Sequence, residues 1–391
     1  MGCPLTNSHA SDMVGKRERV LAVHVQTGRQ TGYEAARRVD ELKALVQTDG
    51  GSIVKTMVMR VKQPSVSTLL GSGQVTDIDD TAAQYDADVV VFNRELTPQQ
   101  QRNIEAVINR RVIDRTRLII DIFARRARSR EGKLEVEEAL LRYLLPRLTG
   151  KGIVMSQTGG GVGTRGPGET KLEMDRRKIK ERLNRLRRLM DAVKSQRSVQ
   201  QSRRAKTGIP QISLVGYTSA GKSTLLNVLT GSTEQSSESP FTSLDPVSRR
   251  LYLRGGTFSV ITDTVGFIED LPVQLVKAFR TTLEDVARSD ILLFVVDVSK
   301  EEYENNVSVV RGILREIGAD RIPMIYVLNK IDKVGKEVSL AGIAESYRDR
   351  VLVSARDGTG IAELRDTIGR VLAMTKRSGS VQDEDEFYRA V

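Results

Sequence analysis

Residues 212–224 read ISLVGYTSAGKST, an apolar stretch followed by a glycine-rich turn and then by a helical run. The spacing of the glycines and Lys222 is the G-x-x-x-x-G-K-[ST] pattern of a phosphate-binding loop, in which N–H groups wrap a diphosphate. A turn that merely caps a helix is the alternative, but the strand before it and the helix after it favour a nucleotide site. The predicted phosphate-binding residues are Gly216, Tyr217, Thr218, Ser219, Ala220, Gly221, Lys222, Ser223 and Thr224.

Three segments downstream indicate which base is bound. Asp263-Thr264-Val265-Gly266 supplies a carboxylate for a Mg²⁺ shell and a glycine N–H for a γ-phosphate. Asn329-Lys330-Ile331-Asp332 offers a carboxylate to the N1–H and 2-amino groups of guanine, with the lysine stem along the base face. In Ser354-Ala355-Arg356, the N–H of Ala355 is expected to donate to guanine O6. N-K-x-D alone is typical of an exposed turn. At the ends of successive predicted strands, however, the three segments together predict guanine specificity.

Phe267 follows Gly266, at a position where many GTPases carry a glutamine that orients the attacking water. Phenylalanine has no hydrogen-bonding group. One interpretation is slow hydrolysis completed by an outside partner or a rearranged loop, and the other is a binding module that does not hydrolyse. Because the residues expected to bind Mg²⁺ and phosphate are present in the sequence, the hydrolysing interpretation is favoured.

Composition limits the remaining possibilities. A chain of 391 residues is expected to hold two or three domains, and its net charge of +11 suggests a polyanionic partner. The single cysteine, Cys3, excludes an internal disulfide framework. No apolar run approaches the length that spans a bilayer, so a cytoplasmic location without stable membrane association is expected.

The first residues, Met1-Gly2-Cys3-Pro4-Leu5-Thr6, fit an acylation pattern in which Cys3 is a second lipid site. No Lys/Arg-rich block follows to supply a second membrane signal, so residues 1–17 are interpreted as a flexible leader. A lipid-tethered signalling GTPase is the alternative.

Residues 18–128 alternate between strand and helix patterns, which predicts a small α/β domain with a parallel sheet. Gly71-Ser72-Gly73 is interpreted as a plain strand-to-helix turn, although such a turn is also able to cradle a phosphate.

Residues 129–200 predict an antiparallel helical hairpin. Ile179, Leu183, Leu186, Met190 and Val193 repeat as a coiled-coil seam, and Gly159–Thr170 forms an exposed loop at the tip. The stretch 171–206 is strongly basic. A solvated helix face is the alternative, but beside a Gly/Arg loop this charge favours RNA binding through phosphate and shape contacts, since aromatic residues make up only 4% of the chain.

The rest of the chain is divided by composition. Residues 201–208 are expected to be a polar linker and 209–375 the GTPase domain. Residues 376–391, with four consecutive acidic residues, are expected to form a disordered tail.

Several stretches closely resemble the HflX family of ribosome-associated GTPases, over roughly residues 18–375. The motifs that carry the resemblance are GTRGPGETKLE (163–173), GYTSAGKSTLLN (216–227) and DTVGFIEDLPVQLVKAFRTTLEDV (263–286). The resemblance implies binding of GTP and GDP with Mg²⁺ and engagement of the large ribosomal subunit. A hydrophobic residue at position 267 is usual in that family, which implies hydrolysis stimulated by the ribosome.

The resemblance also implies residue roles. Phe241-Thr242-Ser243-Leu244-Asp245-Pro246 aligns with the family's first switch, with serine where threonine is usual. Lys222, Ser243, Asp263 and Gly266 are then the expected catalytic groups, and Ser223, Ser243 and Asp263 the expected Mg²⁺ ligands. Gln74 stands where the family usually has lysine, which removes a cation from any nucleotide or RNA contact in the N-terminal domain.

The predicted protein is therefore a monomeric GTP hydrolase with two α/β domains and a helical hairpin, which splits or rescues ribosomes under stress. Its hairpin loop and basic helix are expected to contact ribosomal RNA. An RNA-binding factor in large-subunit assembly is the principal alternative.

Overall fold

A computed structural model of the chain describes residues 17–28, 31–148, 167–206, 208–232, 246–253, 256–264, 266–268, 285–335, 342, 345–347 and 349–389, without the side chains of 167–171, 194, 196–206 and 376–389. These residues form two compact units, one within 1–125 and 143–173 and the other within 126–142 and 174–391. Four predicted segments lie partly or wholly outside the described residues: residues 1–16 of the leader, 159–166 of the loop, 241–245 of the switch, and Val265.

The first unit is an α/β domain. Its elements are β1 (Arg19–Thr27), α1 (Gly32–Thr48), β2 (Ser52–Val61), α2 (Ser72–Gln84), β3 (Val89–Phe92), α3 (Pro98–Ile108), β4 (Arg111–Ile113) and α4 (Arg115–Arg126). The four strands are parallel, in the order β2-β1-β3-β4, which confirms the predicted fold class. Thr31 and Thr97 close capping boxes at the starts of α1 and α3, so both helices begin where their polar caps place them.

The Gly71–Gly73 turn is held by hydrogen bonds to neighbouring residues of the first unit. The N–H of Gly71 donates to Gln74 Oε1 at 3.1 Å, and Gln74 Nε2 donates to the carbonyl of Arg60 at 3.0 Å. The side-chain amide of Gln74 therefore ties the start of α2 to the end of β2. This arrangement agrees with a plain strand-to-helix turn.

Two longer helices follow, α5 (Arg130–Arg147) and α6 (Pro167–Lys206). Arg182 of α6 donates from Nε and Nη2 to the two carboxylate oxygens of Glu137 in α5, at 2.6 and 2.7 Å. Such paired bonds fix the contact between the helices geometrically as well as energetically. Ile179, Leu183 and Leu186 of the predicted seam are buried.

The boundaries of α6 differ from the predicted ones. Residues 167–170, expected in the tip loop, belong to the helix, because proline suits the first turn of a helix, where its missing N–H costs nothing. Residues 201–206, expected in a linker, continue the helix. No glycine or proline interrupts the stretch until Gly208, whose φ of +63° lies in the left-handed region that ends helices.

The rest of the second unit is the GTPase domain. Its elements are β5 (Gln211–Gly216), α7 (Lys222–Thr230), β6 (Val247–Tyr252), β7 (Phe258–Asp263), β8 (Ile291–Asp297), α8 (Tyr303–Glu316), β9 (Met324–Asn329), β10 (Arg350–Leu352) and α9 (Ile361–Arg389). The sheet order is β10-β9-β8-β5-β7-β6, and β6 alone is antiparallel to its neighbour. Leu214 and Val215 belong to separate apolar clusters, so both faces of the sheet are covered. The carboxyl ends of five parallel strands meet at one edge.

The last helix differs from expectation as well. Residues 376–389 continue α9 as helix, where a disordered tail was predicted, because no proline follows Ile361 to end it. Among the helices that the structure describes, none combines the length and the apolar composition needed to cross a membrane.

A neutral histidine is buried in the first unit. His24 of β1 is fully buried, and Asn93 Nδ2 lies 2.5 Å from its Nδ1. Because Asn93 Oδ1 accepts from the N–H of Val25 at 2.8 Å, its Nδ2 must donate, and His24 Nδ1 is therefore an acceptor. Burial, helped by the charges of Arg38 and Arg94, lowers the pKa of His24 to about 4.

We expect this histidine to make the first unit less stable in acid. The pKa of His24 is 6.5 when unfolded and about 4 when folded, so its contribution is complete above pH 6.5 and is lost as the pH falls to 4. The loss is about 3 kcal/mol, from about 1.4 kcal/mol per pKa unit. Hydrogen exchange of β1 amides at pH 7 and pH 4.5, corrected for intrinsic rates, measures it.

His24→Asn is the matched variant, since its side chain keeps an acceptor but does not titrate in this range. The stability of β1 should depend less on pH in the variant than in the wild type. The pKa of Asp49 is raised to about 6 mainly by burial, which has the opposite sign, and the comparison cancels it because both proteins carry Asp49. Equal losses of protection in the two proteins would contradict the assignment.

Candidate nucleotide site

The phosphate loop joins β5 to α7 at the carboxyl edge of the second sheet. Gly216 has φ +154°, and a Cβ at that position would collide with the carbonyl oxygen of Val295 in β8. Gly221 has φ +97°, and a Cβ there would collide with the side-chain amide of Asn329. Only glycine fits either position, and the loop backbone can therefore turn tightly between neighbouring strands.

Lys222 is folded into this loop. Its Nζ donates to the carbonyls of Gly216 at 3.1 Å and Tyr217 at 3.0 Å, and its side chain is buried. Burial lowers the pKa of Lys222 to about 8, against the opposing effect of the Asp263 charge. A desolvated ammonium inside a ring of main-chain groups suits the binding of phosphate oxygens.

Ser223 and Asp263 bring two oxygens together at the start of α7. Ser223 Oγ donates to Asp263 Oδ2 at 2.6 Å, and the Asp263 carboxylate is buried at the end of β7. A hydroxyl and a carboxylate are the oxygen ligands that Mg²⁺ uses together with phosphates and water. The donor set at this point of the loop therefore fits a magnesium ion.

Thr264 and Gly266 hold the next segment beside the loop. Thr264 Oγ1 donates to the carbonyl of Leu214 at 2.6 Å. A Cβ built on Gly266 would lie 2.9 Å from Thr218 Cγ2 and 3.1 Å from Lys222 Nζ. Gly266 therefore sits against the lysine that is expected to bind the terminal phosphate, with no room for a side chain.

Phe267 is anchored in two ways. Its N–H donates to the carbonyl of Gly216 at 3.1 Å, and its carbonyl accepts from the N–H of Thr218 at 2.7 Å. The residue is only 2% exposed, and it packs in an apolar cluster with Val215 and Phe294. The side chain at this position faces the core and cannot orient a water molecule at the phosphate.

The base-recognition segments meet the phosphate loop directly. Asn329 Nδ2 donates to the carbonyl of Ala220 at 2.8 Å, and Ser354 Oγ donates to Asp332 Oδ1 at 2.8 Å. Ala355 N–H, predicted to donate to guanine O6, donates here to Asn329 Oδ1 at 3.1 Å, since a buried amide needs a partner. The predicted residues at the ends of β9 and β10 are therefore assembled next to one another, with the neighbouring Arg356 exposed.

One residue of the site, Asp297, was missed by the sequence analysis. Lys330 Nζ donates to the carbonyl of Ser219 at 2.8 Å and to Asp297 Oδ2 at 2.7 Å. The available signal was its position, since Asp297 is the last residue of a buried strand whose carboxyl end lies at the same edge as the other motifs. Ser243 and Val265, both predicted at the site, are outside the described residues.

Helix α6 carries a separate charged surface. Arg182 is engaged with Glu137, and Arg177 forms an ion pair with Glu181 at 3.1 Å. Other basic residues of the helix are exposed, namely Lys178, Lys180, Arg185, Arg187 and Arg188. Clustered exposed cations of this kind suit a phosphate backbone.

Known families match most of the chain. A family described as GTP-binding GTPase N-terminal matches residues 36–124, one described as GTP-binding GTPase Middle Region matches 126–204, and one described as 50S ribosome-binding GTPase matches 211–330. GTPase HflX of Alkalihalophilus pseudofirmus is 42% identical, over 91% of this chain and 83% of that protein. GTPase HflX of Escherichia coli is 38% identical, over 89% of this chain and 81% of that protein. The crystal structure of SsGBP in complex with GDP is similar with a TM-score of 0.50 and 26% identity, covering 91% of this chain and 99% of that one.

Proposed function

This chain belongs to the HflX family of GTPases, as its motifs predicted, and we propose that it is a ribosome-stimulated GTP hydrolase that acts on the large ribosomal subunit. In this proposal it separates or rescues ribosomes under stress. The observation that carries the proposal is the buried Phe267: the side chain after Gly266 is committed to the core, so the water must be oriented by another group. We propose that a partner supplies the group that orients the water.

The geometry supports the following proposed roles at the nucleotide. Lys222 stabilises charge on the β/γ-phosphates, and Gly266, which lies against it, responds to the γ-phosphate. Asn329 fixes the base segment to the loop, while Asp332 accepts from guanine. The solved relative SsGBP, whose structure contains GDP, supports the choice of a guanine nucleotide.

We also propose that the site binds a magnesium ion beside the phosphates. Ser223 and Asp263 would hold it, the carboxylate through water, and Ser243 is the candidate from the first switch. The bound ion would neutralise charge that develops on the phosphate oxygens. In this site the contribution of the protein itself would be to orient the phosphates.

The ribosome is favoured as the partner by charge and by family. The exposed cations of α6 can contact phosphates without aromatic stacking, and the family that matches residues 211–330 is described as ribosome-binding. A ligand shifts a conformational equilibrium only through unequal affinity for its states. GTP is therefore proposed to favour the form that presents the hairpin to ribosomal RNA, and hydrolysis to favour release.

The test is GTP turnover with and without ribosomal subunits, followed by sedimentation of intact ribosomes with GTP. We expect the large subunit to raise turnover at least about tenfold, within the range that external positioning and charge stabilisation supply. Arg187→Glu with Arg188→Glu should lose this stimulation and keep basal turnover, because both side chains are exposed on α6. Weaker dependence of binding on salt should accompany the loss.

Arg315→Glu with Arg321→Glu is the matched control, since it changes the net charge equally at exposed positions of the GTPase domain. This control should keep the stimulation. Turnover that does not respond to either subunit would defeat the proposal. Stimulation by free large subunits without any binding to intact ribosomes would instead support the assembly factor.

A further inference from the structure

Lys330 connects the base segment to the phosphate loop through its side chain. Its backbone is left-handed, with φ +65°, a conformation that costs a residue with a Cβ of order 1 kcal/mol or more. Its side chain is 23% exposed and reaches back so that Nζ donates to the carbonyl of Ser219. Ser219 is itself left-handed, with φ +61°. Two strained positions are thus joined by one ammonium group.

Asp297 supplies the counter-charge. Its carboxylate is buried at the end of β8, and Oδ2 accepts from Lys330 Nζ at 2.7 Å. The other oxygen accepts from Ser299 twice, from Oγ at 2.6 Å and from the N–H at 3.2 Å. These bonds fix the carboxylate on both sides, so its orientation toward the lysine is set before any nucleotide arrives.

We propose that Asp297 is a positioning residue that holds Lys330 against the phosphate loop and thereby slows the release of guanine nucleotide. The inference rests on the proposed function, since it assigns a role within the guanine site. Without the carboxylate, a largely buried ammonium would keep one neutral acceptor, and solvent would compete for it. The Lys330 side chain would then leave Ser219. The face of the guanine base would lose its contact with the aliphatic part of that side chain.

The arrangement also couples two parts of the site. Asp297 is the register partner of Asn329 in the neighbouring strand, and the N–H of Val298 donates to the carbonyl of Asn329 at 3.1 Å. Asn329 and Lys330 in turn hold the carbonyls of Ala220 and Ser219. Loss of Asp297 therefore releases one of two adjacent tethers between base segment and phosphate loop, and the second tether is left in place.

The experiment is a double-mutant cycle on the dissociation rate of fluorescently labelled GDP from the full chain, because the chain has no tryptophan to report binding. Asp297→Ala should speed dissociation about tenfold, as expected for one lost charge-assisted bond. Asp297→Asn keeps an acceptor without charge and should fall between wild type and Asp297→Ala. In a Lys330→Ala background, Asp297→Ala should add no more than about twofold.

Asp290→Ala is the matched control at the opposite end of β8, where Asp290 Oδ2 accepts from the N–H of Gln211 at 2.7 Å. It should leave the dissociation rate unchanged even if it lowers the unfolding temperature. A purely structural role for Asp297 would instead lower the unfolding temperature and give multiplicative effects with Lys330→Ala. That result, or an unchanged rate in Asp297→Ala, would overturn the inference.

Failure of the proposed function has a different signature. If the wild type shows no preference for GDP over ADP, the guanine site itself is disproved, and the inference falls with it. If the wild type prefers GDP and both Asp297 variants release it at the wild-type rate, only the positioning role is disproved. If Asp297→Ala does not fold, the GDP dissociation rate of Asp297→Asn, measured with and without Lys330→Ala, tests the positioning role instead.

Discussion

Asp332→Asn is expected to reverse the base preference of the nucleotide site from guanine to xanthine. In the proposed site the Asp332 carboxylate accepts from the N1–H and 2-amino groups of guanine. Xanthine has an oxygen in place of the 2-amino group, and the asparagine amide can donate to that oxygen. Two bonds to a charged acceptor are worth about 1.5 kcal/mol or more each, so GDP affinity should fall at least about 100-fold.

The structure explains why this substitution should act on the base and leave the fold intact. Asp332 lies just after β9, and its Oδ1 accepts from Ser354 Oγ at 2.8 Å. An asparagine oxygen can accept the same bond. The side-chain orientation is therefore kept, and the change is confined to the group that faces the ligand.

Competition of GDP and xanthosine diphosphate against a labelled nucleotide measures the effect. Asp357→Asn is the control, because Asp357 is exposed nearby and makes the same change in charge. It should keep the preference for GDP. An Asp332→Asn protein that still prefers GDP would show that the base lies elsewhere.

The nucleotide site was largely predictable from the sequence because its signals are local. Each motif follows a strand, and parallel strands of one sheet bring their carboxyl ends to one edge. The turn at Gly216–Gly221, the carboxylate at Asp263 and the Asn329–Asp332 segment were all placed by this reasoning, and the structure assembles them. Helix starts have equally local signals, as the capping box that Thr97 forms with Gln100 at the start of α3 illustrates.

The partners within the site were not predictable, because they join residues far apart in the chain. Asp297 meets Lys330 and Thr218 meets Phe267 only once the strand order is known. The predicted ends of helices were wrong for a different reason. Gly168 after Pro167 suggested a loop, but the helix takes up both residues in its first turn.

Phe267→Gln is expected to leave intrinsic GTP turnover at or below the wild-type rate, although it restores the residue type that orients water in many GTPases. Main-chain bonds to Gly216 and Thr218 fix the backbone on both sides of residue 267. The new side chain would therefore still point into the apolar cluster and away from the γ-phosphate. The buried amide would lack partners, and stability should fall by about 2–4 kcal/mol.

Hydrogen exchange of β8 amides measures the stability of this cluster, since Phe294 of β8 packs in it with Phe267. Phe267→Leu is the matched control, because an apolar side chain of similar size should cost less than about 1.5 kcal/mol. Turnover of all three proteins is then compared with and without large ribosomal subunits. Leucine should keep both rates, since the side chain acts through the core.

Faster intrinsic turnover in Phe267→Gln than in the wild type would contradict this account. It would mean that residue 267 can leave the cluster and reach the phosphate, and that the missing amide alone limits hydrolysis. The two main-chain bonds and the 2% exposure of the residue argue against that movement. A partner that supplies the orienting group from outside needs no such movement, because Gly266 already lies beside Lys222.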